Sequence, residues 1–423
     1  MLNESKRVPE GVADVHSFDL EIKEKVTASL KKLYKSYGYR QVQTPTFEYY
    51  DLFLEIKGTI DKEKMVKLID RDGKILVLRP DATIPIARMV ATNYKNDDTY
   101  LKFSYFTNVF RSNDGQQSLT SRELTQAGVE FFGKQDIEAD VEVITLAIKS
   151  IQKLGLEDFK IDLGQANYFK ELMNISTVSN EQLREIRKRI EQKNVSELRQ
   201  ILDATDLNEN YKKVVLAMPM LYGKPENVME KAENIALNEE MKRELNHLRQ
   251  VYERLADAGY EDYLSIDLGL INDLNYYTGI IFQGYVKGYG KPVVVGGRYD
   301  QLTKQFGSDL PATGFGFYLD DLMEVIKSSY MDEQVEMSSD FFVVYDEKNR
   351  KKGLATADLL REYGFIVESD IVEDKLENCV KKVQRRNIAC ILQVKEDAIV
   401  SIRGKETRKA YKDIEELKSE ILT

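Results

Sequence analysis

The first part of the chain alternates between helical and extended patterns of apolar residues. Apolar positions recur at three- and four-residue steps from Ile22 to Tyr37, which predicts an amphipathic helix that ends at Gly38. A short strand is predicted over 40–45, closed by a proline. Two β-type runs within 66–78 flank an Asp-Gly turn, so this segment is predicted to form a hairpin.

The next segment combines a helix start with two longer strands. Residues 79–83 leave the hairpin and open a helix, where Asp81 is placed as a capping carboxylate. Strands are predicted over 105–111 and 124–131, with a polar loop between them, and a helix follows over 138–154. This order favours a sheet flanked by helices.

The strand over 124–131 carries polar residues on one side. Side chains alternate along a strand, so Gln126, Gly128 and Glu130 share one face. That face is predicted to be either a solvated sheet surface or a polar cleft.

A helical region interrupts the sheet pattern before it resumes. Charged helical patterns dominate 166–257, which predicts a helical insertion. The stretch Ser265–Phe282 then returns to β character, and its Tyr276-Tyr277 pair is predicted to lie at a strand. Such a pair offers an apolar wall with two hydroxyls for a small polar ligand, or it fills the core and its rim.

The polar junction 328–339 separates a last region with alternating strands and helices, which predicts a small βαβ-type domain. The strands and helices expected there are at 341–344, 354–363, 365–367, 376–386 and 388–394. The predicted domains are a discontinuous core of 1–165 and 258–328, the insertion 166–257, and a terminal α/β domain 338–423.

Composition restricts the classes of function. The 423 residues are 42% hydrophobic and 31% charged, as in a soluble globular protein, and no apolar run approaches the ~20 residues of a membrane span. The amino terminus lacks a secretion signal, so we expect a cytoplasmic protein. The net charge of −10 disfavours broad adhesion to nucleic acid. Cys379 and Cys390 are predicted core residues, and with His16 and His247 as the two histidines no metal site is expected.

Short motifs are spread along the chain. They are Pro9-Glu10-Gly11, Tyr37-Gly38-Tyr39, Thr44-Pro45, Leu78-Arg79-Pro80-Asp81-Ala82-Thr83, Val109-Phe110-Arg111, Gln126-Ala127-Gly128-Val129-Glu130, Tyr276-Tyr277-Thr278-Gly279, Gly296-Gly297-Arg298-Tyr299-Asp300 and Gly314-Phe315-Gly316. Their order resembles that in class II histidyl-tRNA synthetases, over residues 8 to 325 and, more loosely, in the terminal domain. The resemblance implies an α+β fold with a class II aminoacyl-tRNA synthetase-like antiparallel sheet flanked by helices, and a dimer formed through the first motif.

The nucleotide side of the family's pocket is altered. The family's two ATP-binding arginines correspond to Asn272 and Asp321, and a glycine that leaves room for the nucleotide corresponds to Tyr318. An aromatic residue that covers adenine is here Leu124, and an acidic residue of the second motif is Asn113. An aspartate in place of an arginine repels a triphosphate, so we expect no catalytic residues for adenylation.

The amino-acid side of that pocket is retained. The matching positions are Asp81, Thr83, Arg111, Gln126, Glu130, Tyr276 and Tyr277. The resemblance implies that Arg111 holds an α-carboxylate. It implies that Asp81, Thr83 and Gln126 receive an α-ammonium, although Asp81 is one methylene shorter than the usual glutamate. Glu130 and the tyrosine pair are implied to bind the two ring nitrogens of histidine.

This combination resembles a group of synthetase paralogues, the ATP phosphoribosyltransferase regulatory subunits. The resemblance implies a non-catalytic partner of the short-form catalytic subunit in histidine biosynthesis, inhibited through bound histidine, with no cofactor, no membrane and no nucleic acid. The complete terminal domain departs from the reduced one frequent in that group. Two alternatives stay open: a divergent, active histidine–tRNA ligase, and a histidine sensor that acts on another partner or on RNA.

Overall fold

The computed structural model describes residues 7–56, 60–94, 100–112, 121–174, 178–271, 276–329, 339–372, 388, 390–403 and 407–421. The chain divides into two compact units, Met1–Met331 and Asp332–Thr423. The predicted insertion 166–257 belongs to the first of these units, so its status as a separate domain stays a prediction.

The first unit combines strands with long helices. Its strands are β1 (Arg40–Gln41), β2 (Phe47–Tyr49), β3 (Lys67–Ile69), β4 (Ile75–Leu78), β5 (Leu101–Phe110), β6 (Glu123–Phe132), β7 (Phe159–Gln165), β8 (Tyr222–Gly223), β9 (Leu264–Asp267), β10 (Ile280–Val286), β11 (Pro292–Arg298) and β12 (Ala312–Tyr318). Its helices are α1 (Ser17–Ser36), α2 (Tyr50–Glu55), α3 (Thr83–Asn93), α4 (Ile137–Lys153), α5 (Ala166–Asn174), α6 (Asn180–Glu191), α7 (Val195–Asp203), α8 (Glu209–Ala217), α9 (Pro225–Ile235), α10 (Glu239–Asp257) and α11 (Leu319–Ser329).

A nine-stranded sheet forms the centre of this unit. Its strand order is β1-β5-β6-β12-β11-β10-β7-β9-β8, and β2, β4 and β3 form a separate three-stranded sheet. The large sheet is antiparallel except where β1 meets β5 and β7 meets β9. The predicted antiparallel sheet flanked by helices is therefore confirmed.

The large sheet is buried on both faces. Ala127, Val129 and Phe131 of β6 contribute to the core that includes apolar residues of α1 and α4. Leu124 and Phe132 of the same strand face a second core with residues of α3. The face that carries Gln126 and Glu130 is thus covered, and the alternative of a solvated sheet surface is wrong.

The tyrosine pair does not lie on a strand, which corrects the sequence prediction. The strand β10 begins at Ile280, and Tyr276 and Tyr277 precede it. Their rings lie 4.8 Å apart between centroids, and both are buried. Consecutive residues of a strand point to opposite faces, so packing both rings together requires a backbone that is not extended.

The insertion is helical as predicted, with one exception. The two-residue strand β8 pairs with β9 at the edge of the large sheet, where no strand was expected. Asparagine side chains cap several of its helices: Asn194, Asn208 and Asn238 accept hydrogen bonds from backbone amides of α7, α8 and α10.

The second unit has a five-stranded sheet. Its strands are β13 (Phe341–Tyr345), β14 (Val367–Ile371), β15 (Cys390–Val394), β16 (Ile399–Arg403) and β17 (Thr407–Tyr411), and its helices are α12 (Arg350–Glu362) and α13 (Ile414–Ile421). The strand order is β14-β13-β15-β16-β17, with β13 parallel to β14 and β15.

This arrangement confirms the predicted βαβ pattern and adds two antiparallel strands, β16 and β17, that the sequence reasoning missed. Cys390 is buried, as expected of a core residue. The predicted helix over 376–386 and Cys379 lie outside the described residues. No described helix combines the length and the apolar composition that a membrane span requires.

Candidate functional site

The floor of the candidate site is formed by two adjacent strands, β6 and β12. Gln126 pairs with Tyr318 and Glu130 with Gly314 across these strands, so their side chains share one face. A Cβ atom on Gly314 would lie 2.0 Å from Glu130 Oε2. The glycine is therefore required for the carboxylate to lie flat on the neighbouring strand.

Glu130 is the most deeply buried acid of this floor, with 1% of its surface exposed. The Thr83 hydroxyl donates to Glu130 Oε1 at 2.7 Å, and the Tyr299 hydroxyl donates to Glu130 Oε2. Burial raises the pKa of Glu130 to about 8, although both hydroxyls favour the charged form. The carboxyl group is thus largely protonated at pH 7, and each oxygen keeps a further lone pair for a ligand.

Asp81 lies near Glu130 at the start of α3. Its Oδ1 accepts a hydrogen bond from the Ile84 amide at 2.9 Å, which confirms the predicted capping role. Burial raises the pKa of Asp81, while the amide of Ile84 and the charge of Arg111 lower it. Asp81 thus brings carboxyl oxygens to the site next to the positive charge of Arg111.

Arg111 follows the end of β5 and supplies the positive charge. Its Nε donates to the Pro80 carbonyl at 3.1 Å, and its Cζ lies 6.0 Å from the centroid of the Tyr318 ring. Burial alone would lower the pKa of Arg111, but Tyr318 and Asp81 raise it above its usual value. The guanidinium remains charged and has donors beyond the one that Pro80 uses.

A cluster of tyrosines closes the site beside Glu130. The Tyr276 ring meets the Tyr299 ring edge to face with 5.7 Å between centroids, and Tyr277 packs on Tyr276. Burial raises the pKa of Tyr277 far above the physiological range, so its hydroxyl is neutral. Tyr299 stands in one of the family motifs, but the sequence predicted no pocket role for it.

A buried ion pair holds the turn that carries Tyr299. Arg298 Nε lies 2.9 Å from Asp140 Oδ2 of α4, and Arg298 Nη1 lies 3.1 Å from Asp300 Oδ1. Arg298 and Asp140 are both nearly inaccessible to solvent. The Thr278 amide donates to the Arg298 carbonyl at 2.7 Å, which ties the backbone beside the tyrosine pair to the same turn.

Three of the positions expected to differ from an adenylating enzyme are described. Asp321 accepts a hydrogen bond of 2.5 Å from the Tyr289 hydroxyl, so this position has a carboxyl group where the family has an arginine. Leu124 is a buried core residue, and Tyr318 lies against Arg111. Asn113 and Asn272 lie outside the described residues. Among the residues that the structure describes, no cluster of acids, histidines or cysteines has the arrangement of a metal site.

The structure brings the predicted site residues to one region. Glu130 contacts Thr83, and its ionisation is affected by Asp81; the tyrosine pair interacts with both acids. Arg111 interacts with Asp81 and with Tyr276. Gln126 is buried on the face shared with Glu130. The region thus holds the guanidinium of Arg111 and the carboxyl groups of Asp81 and Glu130.

Comparison with known proteins identifies the family of the chain. The profile of the family described as histidyl-tRNA synthetase matches residues 11–322, so the fold and the site define a protein of that class. The ATP phosphoribosyltransferase regulatory subunit of Oceanobacillus iheyensis is 40% identical over 341 residues, which cover 80% of this chain and 82% of that protein. The regulatory subunit of Acetivibrio thermocellus is 37% identical over 404 residues, 94% of each chain.

A crystal structure supports the same relationship. It is described as an ATP phosphoribosyltransferase regulatory subunit/histidyl-tRNA synthetase from Bacillus halodurans, with a TM-score of 0.78 and 29% identity, and the match covers 89% of this chain and 96% of that one. The chain belongs to the family of ATP phosphoribosyltransferase regulatory subunits, within the histidyl-tRNA synthetase class.

Proposed function

We propose that this chain is a non-catalytic regulatory subunit that binds histidine in the pocket lined by Asp81, Arg111 and Glu130. It associates with the short-form catalytic subunit of ATP phosphoribosyltransferase, which joins ATP and phosphoribosyl pyrophosphate in the first step of histidine biosynthesis. Histidine bound here inhibits that step. The cytoplasm remains the proposed location.

The charge distribution of the pocket is the observation that carries the proposal. A free α-amino acid has one ammonium and one carboxylate. Arg111 offers a positive charge to the carboxylate, and Asp81 offers acceptor oxygens to the ammonium. Glu130 is protonated near pH 7 and can share its proton with an imidazole ring. The remaining lone pairs of Gln126 and Thr83 suit the ammonium group.

The position matched to the family's arginine for ATP is poorly suited to adenylation. A transferring phosphoryl group needs cations aimed at its developing charge. Asp321 presents a carboxylate held by Tyr289 at the position where the family has an arginine. A carboxylate beside a triphosphate is repulsive, which supports a role in binding histidine without activating it.

Dimerisation is supported by an apolar surface on the three-stranded sheet. Phe47, Tyr49 and Leu68 share one face by strand register, with exposed fractions of 53%, 55% and 38%. Exposed apolar side chains grouped on one face are typical of an interaction site. We propose that a second copy of the chain covers it.

Inhibition requires that histidine favour one state of the assembled complex over another. A coupling of about 1–3 kcal/mol between the histidine pocket and the catalytic subunit is sufficient for such control. The proposal therefore expects a histidine affinity that changes when the catalytic subunit and its substrates are present.

Calorimetric titration with histidine tests the proposal, first with the chain alone and then with the short-form catalytic subunit. We expect binding in both cases and a complex of the two subunits by sedimentation. If the chain neither binds histidine nor forms a complex with the catalytic subunit, the proposal is refuted. Histidine-dependent exchange of pyrophosphate into ATP would instead establish the alternative, an active histidine–tRNA ligase, which the matching family profile favours.

A further inference from the structure

We propose that Tyr318 determines which histidine compounds the pocket accepts, by ending it immediately beyond Arg111. The site then takes an amino acid with a free α-carboxylate and rejects one whose carboxyl group carries a large substituent, such as a nucleoside. This inference deepens the proposed function and rests on it, since it concerns the ligand of the same pocket.

The residue pattern of β12 produces the wall. Gly314, Gly316 and Tyr318 lie on the face of the sheet that also carries Gln126 and Glu130. The two glycines make room for side chains that lie across this face, because a Cβ at position 314 would meet Glu130 and one at position 316 would meet the Tyr105 hydroxyl. The next residue on this face is a full aromatic side chain. The pocket floor is therefore formed by glycines near Glu130, and the Tyr318 ring blocks the pocket near Arg111.

Tyr318 also fixes the group that receives the carboxylate. Its ring centroid lies 6.0 Å from Arg111 Cζ, and its hydroxyl interacts with the guanidinium. The Pro80 carbonyl holds Arg111 Nε from another direction. With both contacts present, the guanidinium is held in place before a ligand arrives, so a carboxylate binds without reordering a long side chain.

A purely structural role for Tyr318 is less consistent with its surroundings. Tyr318 is half-buried at the last position of β12, whereas the neighbouring Phe315 and Phe317 are buried in the core. Its hydroxyl side interacts with Arg111 and with Tyr277, which are both pocket residues. The side chain therefore belongs to the pocket rather than to the core beneath it.

The test compares two ligands by calorimetry: histidine, and the adenosine derivative in which histidine is joined to the 5′ oxygen through a sulfamoyl group. The sulfamoyl linkage keeps a negative charge near Arg111, so size rather than charge separates the ligands. For the unaltered protein we expect histidine to bind at least about 100-fold more tightly, because the wall excludes the nucleoside. In Tyr318→Gly the preference should fall by at least about tenfold, mainly through tighter binding of the adenosine derivative.

Two further variants make the result specific. Tyr318→Phe keeps the ring, so the preference for histidine should persist while histidine itself binds roughly threefold to tenfold more weakly without the hydroxyl contact. Tyr363→Gly, in the second compact unit, is the matched control and should change neither affinity. Thermal unfolding of each variant establishes that the fold is retained.

The outcomes separate the two proposals. If the unaltered protein binds histidine but binds the adenosine derivative equally well, or if the preference is unchanged in a folded Tyr318→Gly variant, Tyr318 is not the determinant and the proposed function stands. If the unaltered protein does not bind histidine at all, both proposals are overturned.

Discussion

The ionisation of Glu130 predicts how histidine affinity depends on pH. Burial raises the pKa of this group from 4.5 to about 8, so the free protein carries a neutral acid at pH 7. Histidine in solution has a neutral imidazole above its own pKa of about 6.5. In the complex, Glu130 and the imidazole ring together hold one proton. Between pH values of about 6.5 and about 8 the free partners also hold one proton in total, on Glu130, so binding neither releases nor takes up a proton.

The expected magnitude follows from these two protonation steps. Affinity should be highest near pH 7 and should be roughly tenfold weaker two pH units to either side, because binding then releases or takes up a proton. Below the optimum the imidazolium must lose its proton; above it Glu130 must regain one. If Glu130 instead had an ordinary pKa, the optimum would lie about 1.5 to 2 units lower, between the ordinary glutamate and histidine values.

Calorimetric titrations with histidine from pH 5 to pH 9 measure this profile, with Glu130→Gln as the comparison. The neutral amide cannot ionise, so the alkaline decrease that belongs to Glu130 should disappear in the variant. The α-amine of histidine deprotonates in both titrations, and the difference between the two profiles isolates Glu130. An optimum near pH 5.5 in the unaltered protein would refute a protonated Glu130.

The same pKa shift affects folding. The folded protein favours the protonated form of Glu130 by roughly 4 to 5 kcal/mol, as follows from its pKa shift. Because the folded pKa is raised, this contribution is fully present below pH 4.5 and is lost as the pH rises through about 8. Urea unfolding at pH 6 and at pH 8.5 should therefore show lower stability at the higher pH, and a smaller difference in Glu130→Gln.

Three other predictions concern charge, stability and assembly. Arg111→Gln should weaken histidine binding at least about 100-fold, because the carboxylate loses its partner, while histamine, which has no carboxylate, should bind as before in the same calorimeter. Asp140→Asn should lower the free energy of unfolding in urea by about 3–5 kcal/mol, since it leaves Arg298 buried without an anion, whereas Asp158→Asn in an exposed pair should change it by less than about 1 kcal/mol. Phe47→Asp should convert a dimer to monomers in sedimentation equilibrium, and an unchanged mass would exclude this surface as the interface.

The sequence predicted those features that depend on residues close together in the chain. The helix that ends before Gly38 and the hairpin within 66–78 follow from local periodicity and turn residues, and both are present. The position of Asp81 at a helix start was likewise a local pattern. The positions of the pocket residues were predicted from the resemblance to a family, because no local pattern specifies them.

Features that depend on distant contacts could not be predicted in this way. Tyr299 reaches Glu130 across 169 residues, and its motif contains nothing that distinguishes a pocket tyrosine from a turn residue. The backbone of the tyrosine pair was predicted to be extended because aromatic residues favour strands. The packing of the two rings on each other overrides that preference. The strands at 399–403 and 407–411 lie in a polar segment whose pairing depends on β15.

The rate of phosphoribosyl transfer by the short-form catalytic subunit, measured against histidine concentration, tests the proposed role most directly. With this chain present we expect a faster reaction that histidine inhibits, and with Arg111→Gln a faster reaction that requires at least about 100-fold more histidine for inhibition. A transfer rate that this chain does not change, or inhibition that is the same with Arg111→Gln, would contradict a histidine-sensing regulatory subunit.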